Sequence, residues 1–182
     1  MNRYALFTDV SLNPTLKLGF GAYLVIPSSF LEIPPERIIR LKLVEQIRLR
    51  RFEVTSSTNL EVQTLLWALE DFQKESSGSR FGTLDVYSDS QCVTGLLRRR
   101  SQLEMNGFCS KGTNRILKNA CLYRKFYEFH DTLGFEVIKV VGHSRSCSHD
   151  SIHRIFSFVD KEARKALKLC MKGFQVESYN LI

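Results

Sequence analysis

The chain has 182 residues, 43% of them hydrophobic, and its 26 lysines and arginines against 19 aspartates and glutamates give a formal net charge of +7. That length suffices for one well-filled core, and no linker-like stretch divides the sequence, so we expect residues 1-182 to form a single globular domain. The longest uncharged run, Leu18 to Leu31, has 14 residues and contains Pro27, which excludes a membrane-spanning segment there and indicates no membrane partner.

The first third of the chain predicts mainly strands. The segment RYALFTD predicts a strand that ends at Asp9, LNPTLKLGFG a turn-rich connection, and AYLVI a second strand. From Arg37 to Val54 apolar residues alternate with polar ones and change parity near Phe52. This pattern predicts a bulged strand and leaves open whether it is one long strand or two.

A change of period after this region predicts an amphipathic helix. The segment SSTNLEVQTLLWALEDFQKESSG carries apolar residues at helical spacing, namely Val62, Leu65, Leu66, Leu69 and Phe72. Ser57, Thr58 or Asn59 is the expected N-cap, and Gly78 lies beyond the expected end.

The second half of the chain predicts helices alternating with strands. The strand TLDVYSD is followed by a helix from about Ser90, a basic connection to about Thr113, the helix NRILKNACLYRKFYEFH and the strand FEVIKVV. A last amphipathic helix is marked by Ile152, Ile155, Phe156, Val159, Ala163, Ala166, Leu167 and Cys170. Strands first, then alternating helices and strands, indicate an α/β sheet with helices on its faces.

The cysteines indicate a reducing compartment. There are five, widely spaced and without any C-x-x-C motif, a pattern that argues against a disulfide framework.

Arg3 and Asp9 interrupt the first ten residues, which are therefore not expected to act as a signal peptide. We expect a cytoplasmic protein.

Four acidic residues stand beside the predicted core. Asp9 and Asp89 each follow an apolar strand, where ligands collect at the edge of an open sheet. Glu61 and Asp160 each adjoin an apolar residue of a predicted helix. Taken one at a time, these acids have ordinary structural uses, such as capping a helix or stabilising its first turn by their charge.

Together the acids and their contexts resemble a known family. The segments YALFTDVSLN, STNLEVQTLLWALE, LDVYSDSQCV, IKVVGHS and FVDKEARKAL are similar, in order and spacing, to those of the type 1 ribonuclease H family, over nearly the whole chain. The resemblance implies a ribonuclease H-like α/β fold, with helices flanking a five-stranded mixed sheet whose first three strands are antiparallel. It implies a monomeric, metal-dependent endonuclease that cuts the RNA strand of RNA–DNA hybrids and leaves 5′-phosphate and 3′-hydroxyl ends.

The resemblance also assigns the site. Asp9, Glu61, Asp89 and Asp160 would be the catalytic carboxylates, and His143 a mobile catalytic histidine that assists proton transfer or product release. Two Mg²⁺ ions, or Mn²⁺ in their place, can activate the attacking water and stabilise the leaving oxygen around one phosphate. The family partition makes Asp9 the bridging ligand, with Glu61 and Asp89 on one ion and Asp160 on the other.

A zinc site is the alternative for the histidine loop. His143, Cys147, His149 and His153 are close enough in sequence to hold one Zn²⁺ ion, although their spacing matches no common zinc module.

The hybrid substrate implied by the resemblance fits the charge. Without the four site acids, 26 basic residues face 15 acidic ones, a balance of +11, which favours a polyanion. Arg98, Arg99 and Arg100 begin the segment 98–118, which takes the place of the family's basic protrusion. Ser11, Ser57, Thr58 and Asn59 lie where the family reads the ribose 2′-hydroxyl. The chain departs from the family at Val10, where glycine is usual, and in having Ser57 and Thr58 as its polar pair.

Two other functions remain open. The first is a module of the same fold that binds hybrid or double-stranded RNA with little or no turnover. The second is a proofreading-type exonuclease, which pairs the first aspartate with a glutamate two residues on, where this chain has Ser11.

Overall fold

The structure of the protein is a computed structural model that describes residues 2–53, 55–76, 81–141 and 150–179. Its strands are β1 (Asn2–Asn13), β2 (Leu18–Pro27), β3 (Arg48–Phe52), β4 (Phe81–Ser88) and β5 (Glu136–Lys139). Its α-helices are α1 (Arg40–Val44), α2 (Ser57–Glu75), α3 (Gln91–Thr94), α4 (Leu96–Met105), α5 (Ala120–Leu133) and α6 (Ser151–Tyr179). No helix within these ranges combines the length and apolar character needed to cross a membrane.

The strands form one mixed sheet in the order β3-β2-β1-β4-β5. Strand β2 pairs antiparallel with both β1 and β3, which confirms the expected meander, whereas β4 is parallel to β1 and β5 is parallel to β4. The parallel pairing of β1 with β4 ends at Phe7 opposite Tyr87, but the β1–β2 hairpin continues to Asn13 opposite Leu18. The hairpin therefore projects past the edge of the parallel part of the sheet.

The long hairpin corrects two expectations. Asp9 does not end β1 but lies within it, because β2 continues to pair with β1 after β4 has ended. The predicted turn-rich connection is limited to residues 14–17, and its glycines belong to β2. Gly19 and Gly21 are required there by close packing against α2, since a Cβ atom would lie 2.3 Å from Leu60 Cδ2 at Gly19 and 2.0 Å from Thr64 Oγ1 at Gly21.

The alternation between Arg37 and Val54 does not form the predicted bulged strand. Residues Arg40–Val44 are helix α1, and only Arg48–Phe52 pair with β2. Leu43 is buried but Leu41 is 73% exposed, so the two leucines do not share the apolar face that a strand would give them. Val54, the last residue of the predicted pattern, lies outside the described residues.

The region between β4 and β5 is more helical near its start, and less helical in its middle, than predicted. Helix α4 occupies much of the expected basic connection, and α5 begins at Ala120 rather than at Asn114. Between them the chain turns through three residues with positive φ, Gly107, Phe108 and Asn114. The side chain of Phe108 is buried and the guanidinium of Arg124 lies 4.7 Å from its ring centroid, so tertiary packing replaces helical continuity here.

The sheet separates two apolar layers. Residues of α2, α4 and α5 pack on one face with Leu6 and Val86, whereas residues of α1 and α6 pack on the other with Phe7 and Tyr87. The rings of Phe7 and Tyr87 stack at 4.7 Å. Because side chains alternate along a strand, every second residue of β1 after Phe7 faces α6, and the first of these is Asp9.

Candidate functional site

Asp9 and Asp89 lie on the α6 side of the sheet, at its parallel edge. Asp9 is half-buried and follows Phe7 by two residues, and Asp89 follows Tyr87 by two residues, directly after the end of β4. The register that stacks Phe7 on Tyr87 therefore also brings the two carboxylates together. Burial of Asp9 is the main cause that raises the pKa of its carboxyl to about 8, followed by the negative charge of Asp89.

Asp160 reaches Asp9 from helix α6. The side chains of Asp160 and Asp9 share a hydrogen bond, which also raises the pKa of Asp9, while a backbone hydrogen bond with Val10 acts in the opposite direction. A hydrogen bond between two carboxyl groups requires a proton on one of them. Asp160 also accepts from Arg164 Nε at 2.6 Å, one helical turn further on.

Glu61 approaches from the opposite face, at the start of α2. The N-cap of this helix is Ser56, whose hydroxyl accepts from the backbone N–H of Asn59, and not one of the three candidates inferred from the sequence. Glu61 Oε1 accepts from Ser57 Oγ at 3.2 Å, and Oε2 accepts from Ser90 Oγ. Both carboxylate oxygens of Glu61 are thus hydrogen-bonded within the protein.

These residues border a single cavity. It is lined by Thr8, Asp9, Val10, Glu61, Ser88, Asp89 and Ser90. Asp160 is connected to this cavity by the hydrogen bond between its side chain and that of Asp9. The resemblance singles out four acids from four segments that lie far apart in sequence, and the fold collects all four at one edge of the sheet.

The carboxylates are adjacent without forming a closed metal cage. Within the described ranges, no three histidine, cysteine, aspartate or glutamate side chains have the arrangement that holds a metal ion. The reason is visible in the hydrogen bonds: Glu61 faces Ser57 and Ser90, and Asp160 faces Arg164. The donor set nevertheless suits Mg²⁺, since it consists of carboxylate oxygens. Burial first, and the neighbouring acids second, raise the pKa of Asp9 in the absence of a cation.

Ser90 is the functional candidate that sequence reasoning missed. It is 6% exposed and its hydroxyl accepts from the backbone N–H of Val93, as the N-cap of α3, while donating to Glu61. The signal for a cap was present, a serine directly before a predicted helix. Nothing in the sequence indicated that the same hydroxyl would reach a carboxylate 29 residues away.

The polar residues predicted to contact substrate have different surroundings. Ser11 is half-buried on β1, and Thr58 is half-buried in the first turn of α2. Ser57 donates to Glu61, and Asn59 Nδ2 donates to Asn119 Oδ1 at 3.2 Å. The hydroxyl of Ser57 is therefore engaged by the acidic site, and the side chain of Asn59 ties α2 to the start of α5.

The three arginines of α4 are not equivalent. Arg100 makes a two-pronged ion pair with Asp131, with Nη2 to Oδ2 at 2.8 Å, and bonds Glu104 as well. Arg99 donates to the backbone carbonyls of Gly95 and Cys92, both at 3.1 Å. Arg98 and Arg99 are both exposed, but of the three only the side chain of Arg98 has no hydrogen-bond or ion-pair partner within the described residues, which leaves it the most available to a polyanion.

The histidine loop falls mainly outside the described residues. His143, Cys147 and His149 are not among them, so both their catalytic and zinc roles stay predictions. His153 lies in the first turn of α6, where its ring Nδ1 and its backbone N–H each lie 2.7 Å from Asp150 Oδ1. This arrangement gives His153 a helix-capping partner.

Comparison with known proteins establishes the fold. No protein-family model matches the chain, and no curated protein matches it by sequence. A foamy viral protease-reverse transcriptase in complex with an RNA/DNA hybrid matches with a TM-score of 0.58 and 9% identity, over 90% of this chain and 19% of that one. A foamy viral protease-reverse transcriptase in complex with dsDNA matches with a TM-score of 0.53 and 9% identity, over 85% of this chain and 90% of that one. With its five-stranded mixed sheet and flanking helices, the protein has a ribonuclease H-like fold.

Proposed function

We propose that the protein is a metal-dependent endonuclease of the type 1 ribonuclease H kind that hydrolyses the RNA strand of RNA–DNA hybrids. The observation that carries the proposal is the convergence of four acids: Asp9, Glu61 and Asp89 line one cavity, and Asp160 hydrogen-bonds to Asp9. Like charges gathered in this way oppose one another's ionisation, and a protein that only binds nucleic acid gains nothing from them. The hybrid-bound foamy viral neighbour supports a nucleic acid as the partner.

The four acids are the proposed ligands. Asp9, Glu61, Asp89 and Asp160 would together hold the Mg²⁺ ions that the family resemblance implies. Bound there, the ions would supply an activated water and a stabilised leaving 3′-oxygen, giving a 5′-phosphate and a 3′-hydroxyl.

Three of the four proposed ligands hold a proton or a protein partner that a bound metal ion would displace. Asp9 must release the proton that its raised pKa retains at neutral pH. A bound metal ion would compete with the hydroxyls of Ser57 and Ser90 for the carboxylate of Glu61, and with Arg164 for the carboxylate of Asp160. Arg164, once released, is one turn from Asp160 and can contact a substrate phosphate.

Recognition of the RNA strand would use polar groups that surround this cavity. The backbone at Val10, the hydroxyl of Ser11 and the side chain of Thr58 lie at the two elements that supply Asp9 and Glu61. The ribose 2′-hydroxyl distinguishes RNA from DNA. The side chain of Val10 restricts the access of substrate to the backbone, which a glycine would leave open. The hydroxyl of Ser57 already donates to Glu61. Hybrid binding would therefore depend more on Ser11, Thr58 and the basic surface.

A binding module with little turnover is the second candidate. It is favoured by the hydrogen bonds that hold Glu61 and Asp160 outside a metal-binding arrangement in the described residues. The two candidates differ in what divalent cations do: the nuclease is activated by them, whereas the module binds hybrid equally well with or without them.

Incubation with four end-labelled substrates separates the candidates. The substrates are an RNA–DNA hybrid, duplex DNA, duplex RNA and single-stranded RNA, each with Mg²⁺, Mn²⁺ or EDTA. We expect cutting of the hybrid alone, with Mg²⁺ or Mn²⁺ and not with EDTA, and 3′-hydroxyl product ends that a polymerase extends. Hybrid binding without cutting in either metal identifies the binding module and contradicts the nuclease.

A further inference from the structure

Helix α6 carries a row of lysines that the proposed active site does not use. Lys161, Lys165, Lys168 and Lys172 are all exposed, and we call them the lysine stripe. Their spacing of four, three and four residues places them within about 60° of one another around the helix, at 100° per residue. The stripe is about 16 Å long, at a rise of 1.5 Å per residue.

The stripe points away from the core of the protein. Val159 and Ala163, which are fully buried, lie on the opposite side of α6 and pack against the sheet with Phe7. Asp160 and Arg164 lie on the flank between these two sides, with Asp160 turned to the acidic cavity. The stripe therefore starts beside the proposed scissile position.

The charges of the stripe are barely neutralised. Like charges three or four residues apart on a helix repel each other, and every member of the stripe has such a neighbour. Glu162, the acid between Lys161 and Lys165, is buried and bonded to Arg40 at 3.2 Å, and within the stripe it reaches only Lys165, at 3.6 Å. No carboxylate in the described ranges pairs with Lys161, Lys168 or Lys172. A face kept only for solubility usually mixes both signs.

The far end of the stripe lies beside the projecting hairpin. Asn13 Nδ2, at the end of β1, contacts Met171 Sδ at 3.6 Å. Strand β1 and helix α6 thus leave the site together, from Asp9 with Asp160 to Asn13 with Met171. Each strand of a duplex has one phosphate per 3.4 Å of helix axis, so the stripe spans about five phosphates measured along that axis.

We propose that the lysine stripe binds the phosphodiester backbone of a nucleic acid that extends about five nucleotides beyond the active site on the hairpin side. This inference rests on the proposed function for the identity of the substrate. Lysine suits the role because its ammonium is a compact charge on a flexible stem that reaches a phosphate without demanding fixed geometry. An anionic membrane fits less well, since an interfacial helix inserts an apolar face, and that face of α6 is buried against the sheet.

The test measures hybrid binding without cutting. Fluorescence anisotropy with an 18-base-pair hybrid in EDTA gives Kd at several salt concentrations for the wild type and for Lys168→Gln/Lys172→Gln. The control is Lys42→Gln/Lys74→Gln, which removes the same charge from exposed positions on α1 and at the end of α2. Circular dichroism checks that α6 remains folded, and vesicles containing phosphatidylserine provide a membrane probe.

We expect the stripe variant to bind the hybrid at least about ten-fold more weakly at 0.1 M salt, with a slope of log K against log salt reduced by about 1.8. The control should keep the wild-type slope. Equal losses in both variants, or a stripe variant that loses only vesicle binding, would overturn the inference.

The outcomes also separate this inference from the proposed function. A wild type that cuts hybrid in Mg²⁺, with a stripe variant that binds like the wild type, removes the stripe and leaves the nuclease. A wild type that cuts nothing, with a stripe variant that loses affinity, removes the nuclease and leaves the stripe as a nucleic-acid surface.

Discussion

Replacing Asp9 by asparagine should stabilise the metal-free protein, and the gain should depend on pH. The pKa of Asp9 is about 8 in the folded protein against an ordinary value of 3.8, so the folded state holds a proton that the unfolded state releases between these values. The contribution of this proton to stability is complete below pH 4 and is lost as the pH rises to 8. Asparagine removes the titration while keeping the shape of the side chain.

The size of the effect follows from the pKa difference. At 1.36 kcal/mol per pH unit, the proton that the folded state retains on Asp9 and the unfolded chain releases lowers the free energy of unfolding by up to about 4 kcal/mol at pH 7 and by almost nothing at pH 4. Rotation of Asp160 or access of water to the cavity would relieve part of this cost. We therefore expect Asp9→Asn to raise the free energy of unfolding by about 2–4 kcal/mol at pH 7 in EDTA.

Urea unfolding of both proteins at pH 4.5, 6, 7 and 8 measures the difference. Asp150→Asn is the control of opposite sign: partial burial acts to raise the pKa of Asp150, but hydrogen bonds with His153 lower it overall. Its stabilising effect is present above the unfolded pKa and is lost as the pH falls, so Asp150→Asn should destabilise the protein at pH 7. A pH-independent difference between Asp9→Asn and the wild type would refute the crowding of acids at the site.

Three further predictions concern single side chains. Asp89→Asn should abolish hybrid cutting in Mg²⁺ while hybrid binding in EDTA stays within about two-fold of the wild type, because the change removes a proposed metal-binding charge but no contact with phosphate. Cutting at the wild-type rate would remove Asp89 from the mechanism. Ser90→Ala should lower the free energy of unfolding by about 1 kcal/mol through loss of the α3 cap, and an unchanged urea midpoint would contradict the capping role. His143→Ala should slow turnover about 10²-fold with unchanged Mg²⁺ affinity; stoichiometric zinc in the purified protein, lost in Cys147→Ala, would instead support the zinc alternative.

The parts of the fold with a single strong period were predictable from sequence. Helix α2 and strand β4 were found because each has one apolar face or one apolar run and clear ends. Segment 37–54 was misjudged because a short helix and a short strand share a similar alternation over a few residues. Strand β1 was predicted too short because its length is set by pairing with β2, a tertiary contact.

The site was predictable as a set of acids and not as a set of contacts. Matching Asp9, Glu61, Asp89 and Asp160 to a family pattern needs only their order and local context. The hydrogen bonds from Ser90 to Glu61 and between Asp9 and Asp160 depend on how α3 and α6 dock onto the sheet. Local sequence carries no record of that docking, and the same holds for Ser57, whose hydroxyl was predicted to face substrate but contacts Glu61.

The proposed metal site can be tested most directly by crystallography with Mn²⁺. The crystals should contain the wild-type protein and a non-cleavable RNA–DNA hybrid, because the Asp89→Asn variant would lack one proposed ligand. Anomalous diffraction from Mn²⁺ then locates the metal. We predict two anomalous peaks about 4 Å apart, with Asp9 between them and with Glu61 turned away from Ser90. Peaks absent from the cavity, or a single peak in the loop that contains His143, would contradict the proposed site.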